Sequence, residues 1–221
     1  MKKIKNLSVF LAFLLSYSLA AQVNKESFNS YIEKSVKDFE LPGLAISIIK
    51  DGEVQYQNAF GFENAVKQTP LKTNSIFGIA SLSKAFTATA IAMLVDEGKL
   101  NWDDRVQQHL KYFKLSDDYV ASQMTVEDLL AHRSGFETFD GDLLWYGTNY
   151  SREEIIKRFA NYKMTYDFRT DYGYNNIMFI IAGEIVAEVS GMTWEAFIEQ
   201  RIFKPLGMNN SFTSINQYTT N

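Results

Sequence analysis

The sequence contains no cysteine, only two histidines and only three prolines among its 221 residues. Without cysteine the chain cannot form a disulfide, bind a metal through a thiolate or carry a lipid anchor on a thiol. Because histidine is confined to His109 and His132, a histidine-based catalytic triad or a histidine-rich metal site has little to draw on. The sequence therefore implies neither a metal nor an organic cofactor.

Several widespread functional motifs are also missing. The chain has no G-x-S-x-G elbow, no P-loop, no G-x-G-x-x-G and no H-E-x-x-H. Low-complexity tracts and internal repeats are absent as well. What is present is a hydrophobic content of 46%, which is typical of a globular protein and suffices for one sizeable core with a small second lobe.

Residues 1–21 have the pattern of a secretory signal peptide. Lys2, Lys3 and Lys5 precede an apolar run over residues 7–19 that is short for a membrane span, and small residues follow it. We expect cleavage of this leader, a periplasmic or secreted product, and no stable membrane span afterwards. An uncleaved anchor is the alternative.

The charge balance limits the possible partners. The chain has 22 basic and 26 acidic residues, a net charge of −4, and loss of the three leader lysines would leave −7. An acidic export product is poorly suited to nucleic acid or to anionic membranes. The predicted partner is therefore a small-molecule or peptide substrate, and the sequence does not indicate an oligomeric state.

Hydrophobic spacing predicts one helix, then a hairpin, then a helix-rich region. The helix covers residues 25–39 and the hairpin strands cover residues 44–49 and 54–60. This order indicates an α+β protein whose helices cover an antiparallel sheet. The later helices are predicted over residues 85–95, which should be buried, after caps at Thr125, Ser151 and Thr193, and over residues 176–189 with Gly191 as the stop.

Ser81-Leu82-Ser83-Lys84 is an S-x-x-K arrangement. Because residues three apart lie on one face of a helix, Lys84 can reach the hydroxyl of Ser81. A lysine in apolar surroundings can give up its proton and activate a serine without histidine. Ser47 and Lys50 have the same spacing on a predicted strand, where their side chains would point to opposite faces. The alternative for Ser81 is an ordinary helix cap.

A second polar group, Tyr174-Asn175-Asn176, precedes the helix that Gly191 ends. A tyrosine hydroxyl near a lysine can pass protons, and an asparagine amide can orient a substrate carbonyl. Tyr172 lacks an asparagine two positions further on, so Tyr174 is the better candidate. Alternatively, the segment is a buried tyrosine followed by an asparagine cap.

The remaining polar and aromatic candidates are given structural roles. His132 is interpreted as the end of a short helix. Asp140 and Asp142 are predicted to lie in a solvated loop. Trp145 and Tyr146 could line a cleft, but core packing is the preferred interpretation.

In this order, these segments resemble the serine β-lactamase and penicillin-binding-protein superfamily, nearest its class C, D-alanyl-D-alanine carboxypeptidase and esterase branch. The similarity extends over about residues 25–212. Besides the segment of Tyr174, it is carried by Leu41-Pro42-Gly43-Leu44-Ala45, Phe77 to Lys84, Leu94 to Leu100 with Asp103 to Val106, Leu129 to Gly135, and Pro205-Leu206-Gly207-Met208.

The resemblance implies a role for each matching residue. Ser81 would be acylated by the substrate, and its backbone N–H would supply half of the oxyanion hole. Lys84 would take or relay the proton of Ser81, and Tyr174 would be the acid or base partner. Asn176 would contact Lys84 or the substrate carbonyl.

The resemblance also implies a β-lactamase/transpeptidase-like fold over residues 22–221. The expected activity is that of a serine hydrolase that forms an acyl-enzyme with β-lactams, D-amino-acid peptides or esters. A non-catalytic penicillin- or peptide-binding relative, or a fragment without activity of its own, remains the alternative.

One family feature has no counterpart here. The third motif, Lys-Thr-Gly or His-x-Gly on a strand at the sheet edge, normally lies well beyond the position of Tyr174, and no such triplet follows it. We therefore expect the C-terminal strands of the fold to be missing from this chain. Among its last residues, only 211–215 could add a strand.

Overall fold

A computed structural model of the protein describes residues 24–218. The predicted leader, residues 1–21, lies outside the described residues, so its cleavage and the export of the chain stay predictions. The chain divides into two compact units, with the boundary between Phe77 and Gly78.

The first unit combines one helix with a small antiparallel sheet. Helix α1, Lys25–Asp38, is capped by the side chain of Asn24. Strands β1 (Gly43–Lys50), β2 (Glu53–Asn64) and β3 (Thr69–Pro70) follow in the spatial order β1-β2-β3. The helix and the hairpin were predicted from the sequence, whereas the two-residue third strand was not.

Alternation along the hairpin gives the sheet one packed face. Leu44 of β1 lies opposite Phe60 of β2, and Ile48 lies opposite Tyr56. Tyr56 and Phe60 are buried, and the ring of Tyr56 meets that of Phe28 on α1 edge to face, with 4.9 Å between the centroids. The apolar residues at alternate positions thus join the sheet to α1.

The second unit is built from helices. A 3-10 turn at Ala80–Leu82 leads into α2 (Ser83–Asp96), which is followed by α3 (Val106–His109), α4 (Asp118–Gln123), α5 (Val126–Leu130), α6 (Arg152–Phe159), α7 (Asn176–Ser190) and α8 (Trp194–Ile198). A π-helical segment, Glu199–Phe203, continues α8, and further 3-10 turns lie at Asp142–Leu144 and Ile215–Gln217.

The side chains that predicted the helix ends make the expected contacts. Thr125 and Asp128 form a reciprocal capping box at the start of α5. The hydroxyls of Ser151 and Thr193 cap α6 and α8. Gly191 follows α7 in the left-handed conformation, with a φ of 70°.

Helix α7 lies at the centre of the core of the second unit and packs against α2, α5, α6 and α8. Ile177, Ile181 and Ile185 of this helix are fully buried. Burying each such side chain contributes about 1.5–3 kcal/mol to stability. The first residue of α7, Asn176, is therefore attached to a rigid element.

Residues 211–215, where the sequence allowed one more strand, do not form one. The chain there has no regular pairing and enters the 3-10 turn Ile215–Gln217. The hydroxyl of Ser214 accepts from the N–H of Asn216, and the side chain of Gln217 accepts from the N–H of Ser214. These local bonds satisfy backbone groups that a strand would offer to a neighbour.

Helix α2 is less buried than its composition predicts. Ala90, Ile91 and Leu94 are fully buried, whereas Ala85 and Thr89 on the same helix are exposed. Within residues 24–218, no single helix has both the length and the apolar character to cross a membrane. Only α7 taken together with the α8–π segment meets that criterion, across a bend of 75°.

Candidate active site

Ser81 lies on an exposed 3-10 turn directly before α2. Ala80 precedes it with a φ of 45°, a left-handed conformation that costs a non-glycine residue about 1–3 kcal/mol. Helix α2 has 14 residues, and the positive end of its dipole is the end at which Ser81 lies. The hydroxyl is thus open to solvent at a position that favours negative charge.

Lys84 is half-buried and contacts both Ser81 and Asn176, two of the site residues predicted from the sequence. Its Nζ lies 3.3 Å from Oγ of Ser81 and 2.6 Å from Oδ1 of Asn176. The ammonium also lies 4.6 Å from the ring centroid of Tyr174 and 5.3 Å from that of Phe179. These contacts hold the amine next to the hydroxyl through hydrogen bonds and cation–π attraction.

Tyr174, which lies two residues before α7, contacts the hydroxyl of Ser81. Its phenol donates to Oγ of Ser81 at 2.6 Å, across a separation of 93 residues. Partial burial opposes ionisation of the phenol, but hydrogen bonding to Lys84 and Ser81 outweighs it, so the pKa of Tyr174 lies below its usual value. The neighbouring Tyr172 is 66% exposed and has its ring against His132.

The backbone around Tyr174 is held by two crossing segments. The N–H of Gly173 donates to the carbonyl of His132 at 2.9 Å, and the N–H of Phe139 donates to the carbonyl of Tyr174 at 2.8 Å. A Cβ at Gly173 would lie 1.9 Å from the carbonyl oxygen of Phe136. Only glycine permits so close an approach.

His132 ends α5, as the sequence indicated, and its ring also supports the site. Nδ1 lies 3.1 Å from the backbone N of Asn175 and must be unprotonated to accept this hydrogen bond. The ring centroid lies 4.5 Å from that of Tyr174. Burial lowers the pKa of His132 and the charge of Lys84 lowers it further, so the ring is neutral at neutral pH.

An ion pair joins α5 to the segment that precedes Tyr174. Arg169 donates through Nε and Nη2 to the two carboxylate oxygens of Asp128, at 2.8 and 2.7 Å. Burial opposes ionisation of Asp128, but the bonds from Arg169 and Thr125 outweigh it and hold the pKa of Asp128 below its usual value. Bidentate pairs of this kind fix orientation as well as distance.

The prediction that Asp142 lies in a solvated loop is wrong. Its carboxylate is half-buried and accepts from Nδ2 of Asn176, at 3.0 Å for each oxygen, and from Nε1 of Trp145 at 3.0 Å. Asp140 differs, because its carboxylate accepts from the local N–H of Glu137 at 2.9 Å. Asn176 is 34 residues from Asp142, so no local sequence pattern predicts the contact between them.

A cleft of about 360 Å³ lies beside Ser81 and Lys84. Its walls are largely apolar and include Trp145, Phe179, Ile180, Gly183 and Trp194. Trp145 is 37% exposed, so it lines the cleft and does not pack in the core, contrary to the sequence-based interpretation. The adjacent Tyr146 is 72% exposed and is not a core residue either.

Two polar side chains that line the cleft, those of Thr87 and Arg152, have partners of their own. The indole of Trp194 donates to the hydroxyl of Thr87 at 3.1 Å. Arg152 pairs with Glu195 at 2.5 Å and lies 3.8 Å from Glu184. The charge of Arg152 is therefore balanced by these carboxylates. Within residues 24–218, no three histidine, aspartate or glutamate side chains converge as metal ligands.

A model of the Beta-lactamase family matches residues 28–218. The chain therefore belongs to this family, which consists of serine hydrolases of the β-lactamase and DD-peptidase type. The family predicted from the sequence is confirmed.

Individual relatives match most of the chain. Penicillin-binding protein 4* of Bacillus subtilis (strain 168) is 32% identical over 168 residues, which cover 72% of this chain and 35% of that protein. The octameric penicillin-binding protein homologue from Pyrococcus abyssi superposes with a TM-score of 0.71 at 32% identity, covering 88% of this chain and 46% of the other. D-amino acid amidase from Ochrobactrum anthropi SV3, solved with L-phenylalanine amide, gives a TM-score of 0.70 at 25% identity, covering 83% and 52%.

These superpositions confirm the predicted β-lactamase/transpeptidase-like fold. The chain spans 35% of the length of the Bacillus relative and 46% and 52% of the two solved structures.

Proposed function

We propose that this chain carries the acylation site of a serine hydrolase that works through an acyl-enzyme. The observation that supports this most directly is the double contact of one exposed hydroxyl. Oγ of Ser81 lies 3.3 Å from the amine of Lys84 and 2.6 Å from the phenol of Tyr174. Both neighbours can exchange a proton with the serine.

In the proposed reaction, Oγ of Ser81 attacks the carbonyl carbon of the substrate and gives its proton to Tyr174 in its phenolate form, which the ammonium of Lys84 stabilises, or to Lys84 in its neutral amine form. The N–H of Ser81 and the dipole of α2 stabilise the negative charge on the carbonyl oxygen. The bond to the leaving group then breaks, the leaving group takes the proton, and the acyl group stays on Ser81. Water attacks this ester, gives one proton back to the serine oxygen and releases the acid.

Asn176 has a supporting role in this proposal. Its Oδ1 accepts from Lys84 at 2.6 Å and so keeps the amine within reach of Ser81. The resemblance that predicted Asn176 as a substrate contact also allows the amide to meet the substrate carbonyl. The two roles are compatible, because a lysine ammonium and a substrate group can share one amide.

The substrates that we propose are β-lactams, D-amino-acid peptides or esters that carry a neutral apolar group. The apolar walls of the cleft and the balanced charge of Arg152 support this choice. The names of the relatives, a penicillin-binding protein and an amidase solved with phenylalanine amide, point to the same carbonyl chemistry.

The leader pattern of residues 1–21 supports action in the periplasm or outside the cell, which cell fractionation would test.

Hydrolysis of a chromogenic ester, a chromogenic cephalosporin and a D-amino-acid anilide tests the proposal. We expect turnover of at least one of them, and Ser81→Ala should lower kcat by at least about 10³-fold. Ser47→Ala is the matched control, because Ser47 has the same spacing to a lysine on strand β1. Turnover that survives Ser81→Ala would exclude the proposal, and binding without any turnover would favour a non-catalytic relative.

A further inference from the structure

We infer that Asp142 is a positioning residue for Lys84 and acts through the side-chain amide of Asn176. The inference rests on the proposed function, because it concerns the lysine that exchanges a proton with Ser81. It adds a residue that the S-x-x-K and Tyr-Asn-Asn segments do not contain.

The amide of Asn176 has a donor end and an acceptor end, and each end has its own partner. Nδ2 lies 3.0 Å from each carboxylate oxygen of Asp142, and Oδ1 lies 2.6 Å from Nζ of Lys84. A carboxylate only accepts hydrogen bonds and an ammonium only donates them. The amide is therefore fixed in one orientation. If it were reversed, Nδ2 would meet the ammonium of Lys84, a second donor, and Oδ1 would meet the carboxylate of Asp142, a second acceptor.

Asp142 is itself held in place by its surroundings. It opens the 3-10 turn Asp142–Leu144 directly after Gly141, which has a φ of 83°. A Cβ at Gly141 would lie 2.6 Å from the ring of Phe159, so this turn packs closely on the core. The indole of Trp145 donates to the same carboxylate at 3.0 Å. The carboxylate thus offers a fixed acceptor to Asn176.

Replacing Asp142 with asparagine removes the constraint on Asn176 while keeping the size of the side chain. An asparagine can donate as well as accept, so the amide of Asn176 becomes free to rotate. The rotated amide would present Nδ2 to the ammonium of Lys84, and the two donors repel each other. Lys84 would then spend less time beside Ser81, and acylation would slow.

The test measures acylation of Ser81 by a fluorophosphonate at several probe concentrations, which separates the maximal rate constant from the apparent affinity. We expect Asp142→Asn to lower the maximal rate constant by roughly ten- to a hundredfold, since small misplacements of a catalytic group have effects of that size. The apparent affinity should change by less than about twofold. Asp140→Asn is the matched control, because that carboxylate accepts from the nearby N–H of Glu137 and from no other group among residues 24–218.

A double-mutant cycle separates positioning from a general loss of structure. If Asp142 acts through Asn176, Asp142→Asn should have no further effect in an Asn176→Ala background. An equal loss in both backgrounds would overturn the inference, and so would an unchanged rate in Asp142→Asn alone.

The proposed function and this inference can fail separately. Labelling of Ser81→Ala at the rate of the unsubstituted protein would remove the proposed function, and the inference with it. If Ser81→Ala is not labelled but Asp142→Asn reacts as fast as Asp140→Asn, the inference alone is overturned.

Discussion

Two of the side chains around the hydroxyl of Ser81 reach it by different routes. Lys84 is its neighbour on the same helical turn, whereas Tyr174 arrives from a segment 93 residues away. Helix geometry makes the first contact predictable from spacing alone. The second required the family resemblance, because a Tyr-Asn-Asn segment by itself fits a helix cap equally well.

The residues that sequence reasoning misplaced share one property. Asp142 and Trp145 belong to no recognisable motif, and an aspartate next to glycine is typical of a solvated turn. Their roles depend on the contact with Asn176 and on the wall of the cleft, which only the folded chain creates. Long-range contacts of this kind leave no periodic signal in a single sequence.

The hydroxyl of Tyr174 can be removed without removing its ring. Tyr174→Phe should lower the acylation rate by roughly 10²–10⁴-fold, which is the usual contribution of an acid or base group. The fold should survive, because the ring keeps its contacts with His132 and Phe139. Tyr172→Phe is the control, since that ring also meets His132 but Tyr172 is 66% exposed. Equal rates for the two variants would argue against a role for the phenol.

At the scale of secondary structure, the site depends on how the segment before α7 crosses the segment after α5. Several backbone hydrogen bonds, among them those from Gly173 to His132 and from Phe139 to Tyr174, hold this crossing together with the Asp128–Arg169 pair. Helices α5, α6 and α8 were predictable from their caps, because a capping side chain lies within three residues of its target, whereas the short helices α3 and α4 were not predicted. The crossing was not, because it joins residues far apart in sequence.

Gly173 is the closest point of this crossing. Gly173→Ala should destabilise the protein by at least about 2 kcal/mol, because the new Cβ would overlap a backbone oxygen that cannot move independently. Acylation should also slow, since Tyr174 would be displaced with it. Urea denaturation and probe labelling measure the two effects. Gly78→Ala is the control, because a Cβ there meets nothing within 4 Å, and similar losses in both variants would contradict the argument.

At the scale of the whole molecule, composition and element order predicted an α+β fold, and the family match over residues 28–218 agrees with it. The predicted hairpin forms, but the sheet gains its third strand at Thr69–Pro70 and not at residues 211–215. Short strands are hard to predict because their stability comes from pairing and not from local preference.

The stability of the molecule should depend on pH through His132. Its pKa in the folded chain lies below the unfolded value of about 6.5, so the unfolded chain binds the proton first as pH falls. The free energy of unfolding should therefore be highest above about pH 6.5. It should decline towards the folded pKa by up to about 1.4 kcal/mol per pH unit.

Urea denaturation of the protein and of His132→Gln between about pH 5 and about pH 8 measures this dependence. Glutamine can accept the N–H of Asn175 without titrating, so the variant should show a smaller slope in this window. An unchanged slope would assign the pH dependence to other groups.

Mass spectrometry after incubation with a β-lactam or a fluorophosphonate tests most directly whether the serine at the start of α2 is the nucleophile. We predict one adduct, on the peptide that contains Ser81, which forms much more slowly in Lys84→Ala and at the normal rate in Lys50→Ala. An adduct on another residue, or undiminished labelling of Ser81→Ala, would contradict the account.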